Sequence, residues 1–331
     1  MEQAAKAQSW RTYSPNQAMI VFALTLLIFV VLCVGLPGFL SVGNLFTLAR
    51  SVSILGILGL GMAVVVIGRG IDLSQIAILA ISAAIAITLI NAGVPEAASL
   101  MIGLLVSILA GMLNGFLVSV VEIPPLFTTL ASSLLMLGLT RAFVVPHYQV
   151  FLEGKADFIQ ALGGTIAGGL PVPVLIFAIC AVILHLFLSK TVLGRFIYAH
   201  GDNSEAARLT GIGTRPLTML EYGICGAIGF VGGVVMTGST SLMHLQIAES
   251  TMIFDVILVV VLGGVSLVGG RGNVMSVIAG TLLIGVLLNA MTILNLDIQT
   301  QNMIKGGVLL GAIIFDSYMH PRDEETAKQG D

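Results

Sequence analysis

The chain has 331 residues, of which 57% are hydrophobic and only 9% charged, with a mean hydropathy of +1.05. A soluble domain carries roughly a quarter charged residues, so this composition excludes a soluble globular protein and indicates a polytopic membrane protein. The net charge of −3 decides little, because the placement of basic residues matters more than their sum in a membrane chain.

Residues 1–16 are polar and contain Lys6 and Arg11; the first apolar run follows at 17–36. No small-residue cleavage pattern follows it closely, so it reads as a retained span and not a signal peptide. Apolar runs near the roughly 20 residues needed to cross a bilayer recur at 17–36, 51–68, 75–91, 99–121, 126–146, 171–189, 217–239, 252–268, 274–295 and 300–317. The second and third are short enough to be irregular or partly re-entrant, which is tolerated only where protein or water covers the backbone. The longest outer loop, 147–170, has room for at most a short helix.

Basic residues orient the chain. With the N-terminus inside, the inner segments hold Lys6, Arg11, Arg69, Lys190, Arg195, Arg208, Arg215, Arg271, Arg322 and Lys328. The outer loops keep only Arg50 and Lys155, while Arg141 and Lys305 fall near span ends. That asymmetry is a positive-inside pattern. The expected architecture is therefore an all-α polytopic membrane protein with about ten transmembrane helices, N-in and C-in, and no soluble domain. Residues 1–16 form a cytoplasmic segment, 17–317 the membrane domain with a cytoplasmic loop at 190–216, and 318–331 a cytoplasmic tail.

Catalytic readings fail on motif. The sequence has no HExxH, no G-x-S-x-G and no GxxxxGK[ST]. Its five histidines (His147, His185, His200, His244, His320) show no ligand spacing, so no metal site and no catalytic residue is assigned. Cys33, Cys180 and Cys225 lie in apolar segments without CxxC spacing and read as buried thiols. Without a Walker loop, ATP-driven transport would need another subunit to carry the nucleotide.

The longest polar loop is Lys190–Pro216. Inside it, Asp202 as N-cap with Glu205 three residues on makes a capping-box pattern for a helix over 204–210. Gly211 and Gly213 would stop that helix, and Pro216 suits the first turn of the next one. Such a helix either contacts something outside the bilayer or simply connects two spans. A second polar break, Gly68-Arg69-Gly70-Ile71-Asp72-Leu73-Ser74, lets the chain turn, with Asp72 or Ser74 accepting N–H groups from the following helix. It reads as a capped helix start or as a gate at the inner mouth. The third is 262–272, LGGVSLVGGRG, with Asp255 before it. Its glycines imply tight packing or a re-entrant loop, and Asp255 should face water or a partner.

The remaining membrane-embedded polar residues are mostly neutral, among them Asn114, Thr128, Thr129, Ser132, Ser133 and Asn289. Asp72, Glu122, Glu221, Asp255, Asp297 and Lys305 sit near expected span ends. A pathway for a neutral, hydroxyl-rich solute fits this better than an ion-coupled carrier with midplane charges. The pairs Gly111/Gly115, Gly229/Gly233 and Gly307/Gly311 have the spacing of close helix packing, within a bundle or between subunits.

These residues together resemble the membrane permeases of ribose-type (monosaccharide) ABC importers, over about 36–316. The resemblance rests on the order of Gly70-Ile71-Asp72-Leu73-Ser74, Ile123-Pro124, Thr129-Leu130, Arg141, Thr191, Gly194-Arg195, Tyr198, Gly201, Asn203, Glu205 through Leu209, Gly211-Ile212, Asp255, Gly263-Gly264, Ser266-Leu267, Gly269-Gly270, Gly272, Gln301 and Lys305-Gly306. It departs from the family pattern at Arg69, Gln75-Ile76-Ala77, Asp202 and Ile253.

The resemblance implies a bacterial inner-membrane permease subunit. Its partners would be an ABC ATPase with two nucleotide-binding domains, a second permease copy or close paralogue, and a periplasmic binding protein delivering a small neutral sugar, with no nucleic acid. ATP and Mg would be bound by the ATPase, and no cofactor by this chain. Asn203, Ser204, Glu205, Ala206, Ala207, Arg208, Leu209, Gly211 and Ile212 would be the coupling helix. Asp72, Ser74, Thr129, Asp255, Ser266 and Asn289 are gate or pathway candidates. The competing expectation is a secondary transporter or channel working without an ATPase.

Overall fold

The computed structural model describes residues 17–153, 156–166 and 169–319. Residues 1–16 and the tail beyond 319, with Lys6, Arg11, Arg322 and Lys328, lie outside the described residues, as does Lys155. In chain order the elements are α1 (Gln17–Gly35), α2 (Val42–Ile67), α3 (Gln75–Asn91), α4 (Glu96–Ser119), α5 (Pro125–Phe143), β1 (Gln149–Phe151), α6 (Asp157–Gly163), α7 (Val172–Lys190), α8 (Val192–Asp202) and α9 (Ser204–Leu209). There follow α10 (Thr214–Thr240), β2 (Leu242–His244), a 3-10 turn (Leu245–Glu249), α11 (Met252–Gly263), α12 (Val274–Ile293) and α13 (Ile298–Met319).

Each of the ten apolar runs falls on a helix. Seven helices, α1, α2, α4, α5, α7, α10 and α12, are long and apolar enough to cross a membrane, and no soluble domain is present among the described residues. Helices α3 and α11 have only 17 and 12 residues; at 1.5 Å per residue α11 is about 18 Å long, well short of the ~30 Å hydrocarbon core. Such short helices survive because other helices cover them: α3 is buried along nearly its whole length, and so is most of α2. A helix apolar on every side belongs inside a bundle, and α1, α4, α5 and α7 form the more exposed shell.

Two expectations need correction. The second span is neither short nor irregular: α2 is a continuous 26-residue helix that starts at Val42, where the Ser41 hydroxyl accepts from Asn44 N at 3.4 Å. Its first turns are interrupted by Gly43, Asn44, Thr47 and Arg50, so hydropathy alone placed the start nine residues late; Asn44 is instead paired inside the fold. The chain is also not purely helical. Strands β1 and β2 pair antiparallel, Gln149 opposite His244 and Phe151 opposite Leu242. Three-residue strands leave too short an alternation to read from sequence.

The helices alternate between two ends. Helix α3 runs from Gln75 to Asn91, whose side-chain amide donates to Phe151 O (2.7 Å) and whose side-chain carbonyl accepts from Glu153 N (3.1 Å) beside the hairpin. At that end Glu96 caps α6, the short helix expected in the 147–170 loop, by accepting from Ile159 N at 2.8 Å. At the opposite end Arg69, Gly201, Arg208, Arg215 and Gly270 gather, so the basic loops assigned to the inner side share one face of the bundle.

Glycine sets the most extensive helix pairing, between α4 and α10. A Cβ on Gly111 would collide with the Tyr222 carbonyl oxygen, one on Gly115 would stand 2.5 Å from Met219 Cα, and one on Gly226 would collide with the Ser107 carbonyl oxygen. Gly233 likewise meets Leu79 O of α3, at 2.8 Å. The third pair, Gly307/Gly311, has open space beside it within this chain. Hydroxyls in the helices bond mostly to the preceding turn: Ser133 to Leu130 O, Ser239 to Val235 O, Thr292 to Leu288 O. They spend their donors locally.

Candidate functional site

The polar loop folds as two short helices, not one. Helix α8 follows α7 directly, with the Thr191 hydroxyl accepting from Gly194 N at 3.0 Å. Helix α9 is the expected one, but its N-cap is Asn203, whose Oδ1 accepts from Ala206 N at 2.9 Å. Asp202 is the last residue of α8, so the capping box with Glu205 does not form; moving the cap by one residue puts Ala206 in the third helical position. Gly211 at φ +88° ends the helix, and Pro216 lies in the first turn of α10. Of the nine coupling candidates only Ala207 is buried. Leu209 is 83% exposed, a large apolar side chain at the end of a helix too polar to lie among lipids.

A cavity of about 1000 Å³ opens beside this loop. Arg69, His200, Arg208 and Arg215 line it, and Arg215 is paired with Glu122 at 3.2 Å. His200 is buried, with Nε2 3.3 Å from the Thr218 hydroxyl. Its burial and then the neighbouring Arg69 guanidinium hold the imidazole below its ordinary pKa. The unfolded chain therefore takes up a proton near pH 6.5 that the folded chain refuses, and stability falls as pH drops through and below that point. Lowering the pH from about 7.5 to about 5.5 should depress the melting temperature, and His200→Asn should flatten that slope. Paired melting curves of the two proteins across this range check it.

The Gly68–Ser74 break is a packed cluster. Asp72 and Ser74 are fully buried. Asp72 Oδ1 accepts from Ser74 N (2.9 Å) and from the Ser74 hydroxyl, which in turn accepts from Asn114 Nδ2 of α4 at 2.7 Å. Neither side chain caps the first turn of α3, contrary to expectation; the polar groups turn sideways to α4 instead. The sequence also placed Glu221 near a span end. Glu221 is fully buried, two turns into α10 and against Gly68, where a Cβ would collide with the carboxylate. It reads as terminal only while the start of α10 is unknown.

The remaining candidates are dispersed. Asp255 lies in the first turn of α11 and meets Lys305 of α13, Nζ standing 3.0 Å from Oδ1 and 3.1 Å from Oδ2. The partner required for a buried carboxylate is thus a residue fifty positions away. Ser266 organises the Gly-rich loop, its hydroxyl accepting from Val268 N at 3.3 Å. Thr129 donates to Pro125 O at 2.8 Å, and Asn289 exchanges two amide bonds with Asn44 at 2.8 and 3.0 Å. Sequence reasoning missed Asn44, Asn114 and Lys305 as partners. Asn114 and Lys305 each carry a polar group inside an apolar run, which flags them, whereas Asn44 falls outside the runs; no local signal names what any of them meets. Among the described residues no cluster of three or more His, Cys, Asp or Glu could hold a metal.

The family described as "Branched-chain amino acid transport system / permease component" matches residues 44–313. Ribose import permease protein RbsC of Haemophilus influenzae is 31% identical over 298 residues, covering 90% of this chain and 92% of its own length. The RbsC of Bacillus subtilis is 34% identical over 280 residues (85% and 86%). L-arabinose transport system permease protein AraH of Escherichia coli K12 is 32% identical over 311 residues (93% and 92%). No solved structure gives a significant match. With seven membrane-length helices and these relatives spanning nearly its whole length, the chain belongs to this family of transport-system permease components, as a multi-pass bacterial inner-membrane subunit that transports and is not an enzyme.

Proposed function

We propose that the chain is the membrane permease of an ATP-driven importer for a small neutral sugar, with about ten membrane-embedded helices and both termini in the cytoplasm. Asn203–Ile212 dock on a separate ATPase that carries both nucleotide-binding domains and binds ATP and Mg; this chain needs no cofactor. A periplasmic binding protein delivers the solute at the hairpin end, and a second copy or close paralogue completes the pathway. The sugar class follows the names of the relatives. Asp255, in the first turn of the half-helix α11, and Ser266, just past its end, are the pathway candidates nearest an element able to move. Asp72, Ser74 and Asn289 serve by holding helices in register, and Thr129, bonded within its own helix, stays a pathway candidate.

The observation that carries this reading is Leu209, exposed on a capped helix at the basic end. The buried core of a docking surface is more apolar than its rim. Leu209→Asp, and Gly211→Pro at a position with φ +88° that proline cannot adopt, should each cut uptake at least about tenfold and abolish co-purification of the ATPase. Glu205→Arg should weaken both. The permease itself should stay folded in the membrane; normal uptake by all three variants would remove the assignment. Asp72 and Glu221 are buried carboxylates of the kind an ion-coupled carrier uses, and uptake persisting in vesicles without the ATPase would select that reading.

A further inference from the structure

The end of α8 touches two other segments through bare backbone. A Cβ on Gly201 would collide with the carbonyl oxygen of Ile67, the last residue of α2, and stand 2.5 Å from Gly270 N. Gly270 N itself donates to Ile67 O at 2.8 Å. A Cβ on Gly269 would lie 2.7 Å from Gly201 O, and one on Gly270 2.7 Å from Asp202 Cα. Both loop glycines have positive φ, +92° and +69°.

Side chains close the same three-way contact. Tyr198 of α8 donates to Gly272 O at 2.8 Å, and Arg69 Nε donates to Val268 O at 3.0 Å. His200 reaches Thr218 on α10. So the Gly-rich loop is bonded both to α8 and to the α2 terminus, and α8 packs its Gly201 backbone directly on Ile67 O.

On the loop side there is no slack. Asn203 closes α8, donating its N–H to Ala199 O at 3.1 Å, and opens α9 by capping it. Beyond the contact, Ile67 leads through Arg69 to the Asp72 cluster, and the Gly-rich loop leads back to Gly263 of α11. There a Cβ would collide with Ser276 O of α12. Side chains absorb a displacement by changing rotamer; backbone packed on backbone cannot.

We infer that Gly201, with Gly269 and Gly270, is the joint that passes displacement of α9 into α2 and into α11, the half-helix carrying Asp255. Gly201 is a positioning residue, and this role rests on the docking reading above. Any side chain at 201 wedges α8 away from Ile67, so α9 moves without moving the bundle.

The test uses the permease with its ATPase in lipid vesicles, with native cysteines replaced and spin labels on two exposed positions, Phe254→Cys of α11 and Leu105→Cys of α4. ATP with vanadate should change the label distance in the parent protein. Gly201→Ala should at least halve that change while ATPase binding and ATP hydrolysis stay within about twofold. Gly43→Ala, in open space, should behave as the parent. Tyr198→Phe, which removes one bond and keeps the ring, should give a smaller loss of the same kind and decides the matter if Gly201→Ala does not fold. No distance change in the parent, or an unaltered change in both Gly201→Ala and Tyr198→Phe, overturns the joint. If Leu209→Asp leaves the ATPase bound, the docking reading falls; if it releases the ATPase while both joint variants move normally, the joint alone falls.

Discussion

Gly111→Leu is expected to prevent accumulation of folded protein. A Cβ at 111 already collides with the Tyr222 carbonyl oxygen and reaches Tyr222 C at 2.8 Å and Gly223 Cα at 3.2 Å. Every obstacle is backbone, so no rotamer change makes room. Overpacking a core costs about 1–3 kcal/mol where side chains can yield, and more is expected where two helix backbones must part. Separation here would also pull α4 from the Asn114–Ser74 bond that holds the Asp72 cluster. Gly111→Ala should fold with a lowered melting temperature, and Gly307→Ala, in open space, should be nearly neutral to the fold of the single chain. Size-exclusion profiles and melting curves of the detergent-solubilised proteins check the order. Equal behaviour of Gly111→Leu and the parent would mean that α4 and α10 are not in backbone contact.

Breaking the Asp255–Lys305 pair should be nearly as costly, and reversible by a second change. Both side chains are only 11% exposed, and the pair ties α13 to the start of α11, where Thr251 also bonds Asn302 at 3.2 Å. Removing one partner of a buried ion pair leaves a charge without compensation and costs about 3–5 kcal/mol, whereas replacing both by neutral groups is often close to neutral. Lys305→Met and Asp255→Asn should therefore each be strongly destabilising, and the double variant should recover most of the loss. Denaturant titrations of the four proteins give the coupling energy directly. Additive losses would show that the two side chains act independently.

How far the sequence reaches is clearest in the polar loop. Lys190–Pro216 announces a helix through Asp202, Glu205, Gly211 and Pro216, because capping and turn chemistry act over three or four residues. It named Asp202 as the cap, where the structure has Asn203. Both are good caps, and the choice belongs to α8, which extends one residue further because Gly201 is seated against Ile67. The start of α2 failed for the opposite reason: Asn44 looks like loop until Asn289, 245 residues away, is beside it. Glu221 looked terminal and is buried, because hydropathy marks where a chain is apolar and not which face of a helix meets protein.

What the sequence determined by itself was the apolar segments, the grouping of Arg69, Arg208, Arg215 and Arg271 on one side, and the family, all properties of composition, charge and ordered local motifs. Only the tertiary structure decided what the polar residues do inside the membrane domain. Asp255 is paired by Lys305, Asn289 by Asn44 and Ser74 by Asn114, and Gly201 has backbone on two sides. The reason is physical. A buried polar group or a bare glycine is expensive until it meets its partner, and that partner is set by which helices pack together, not by the neighbouring sequence.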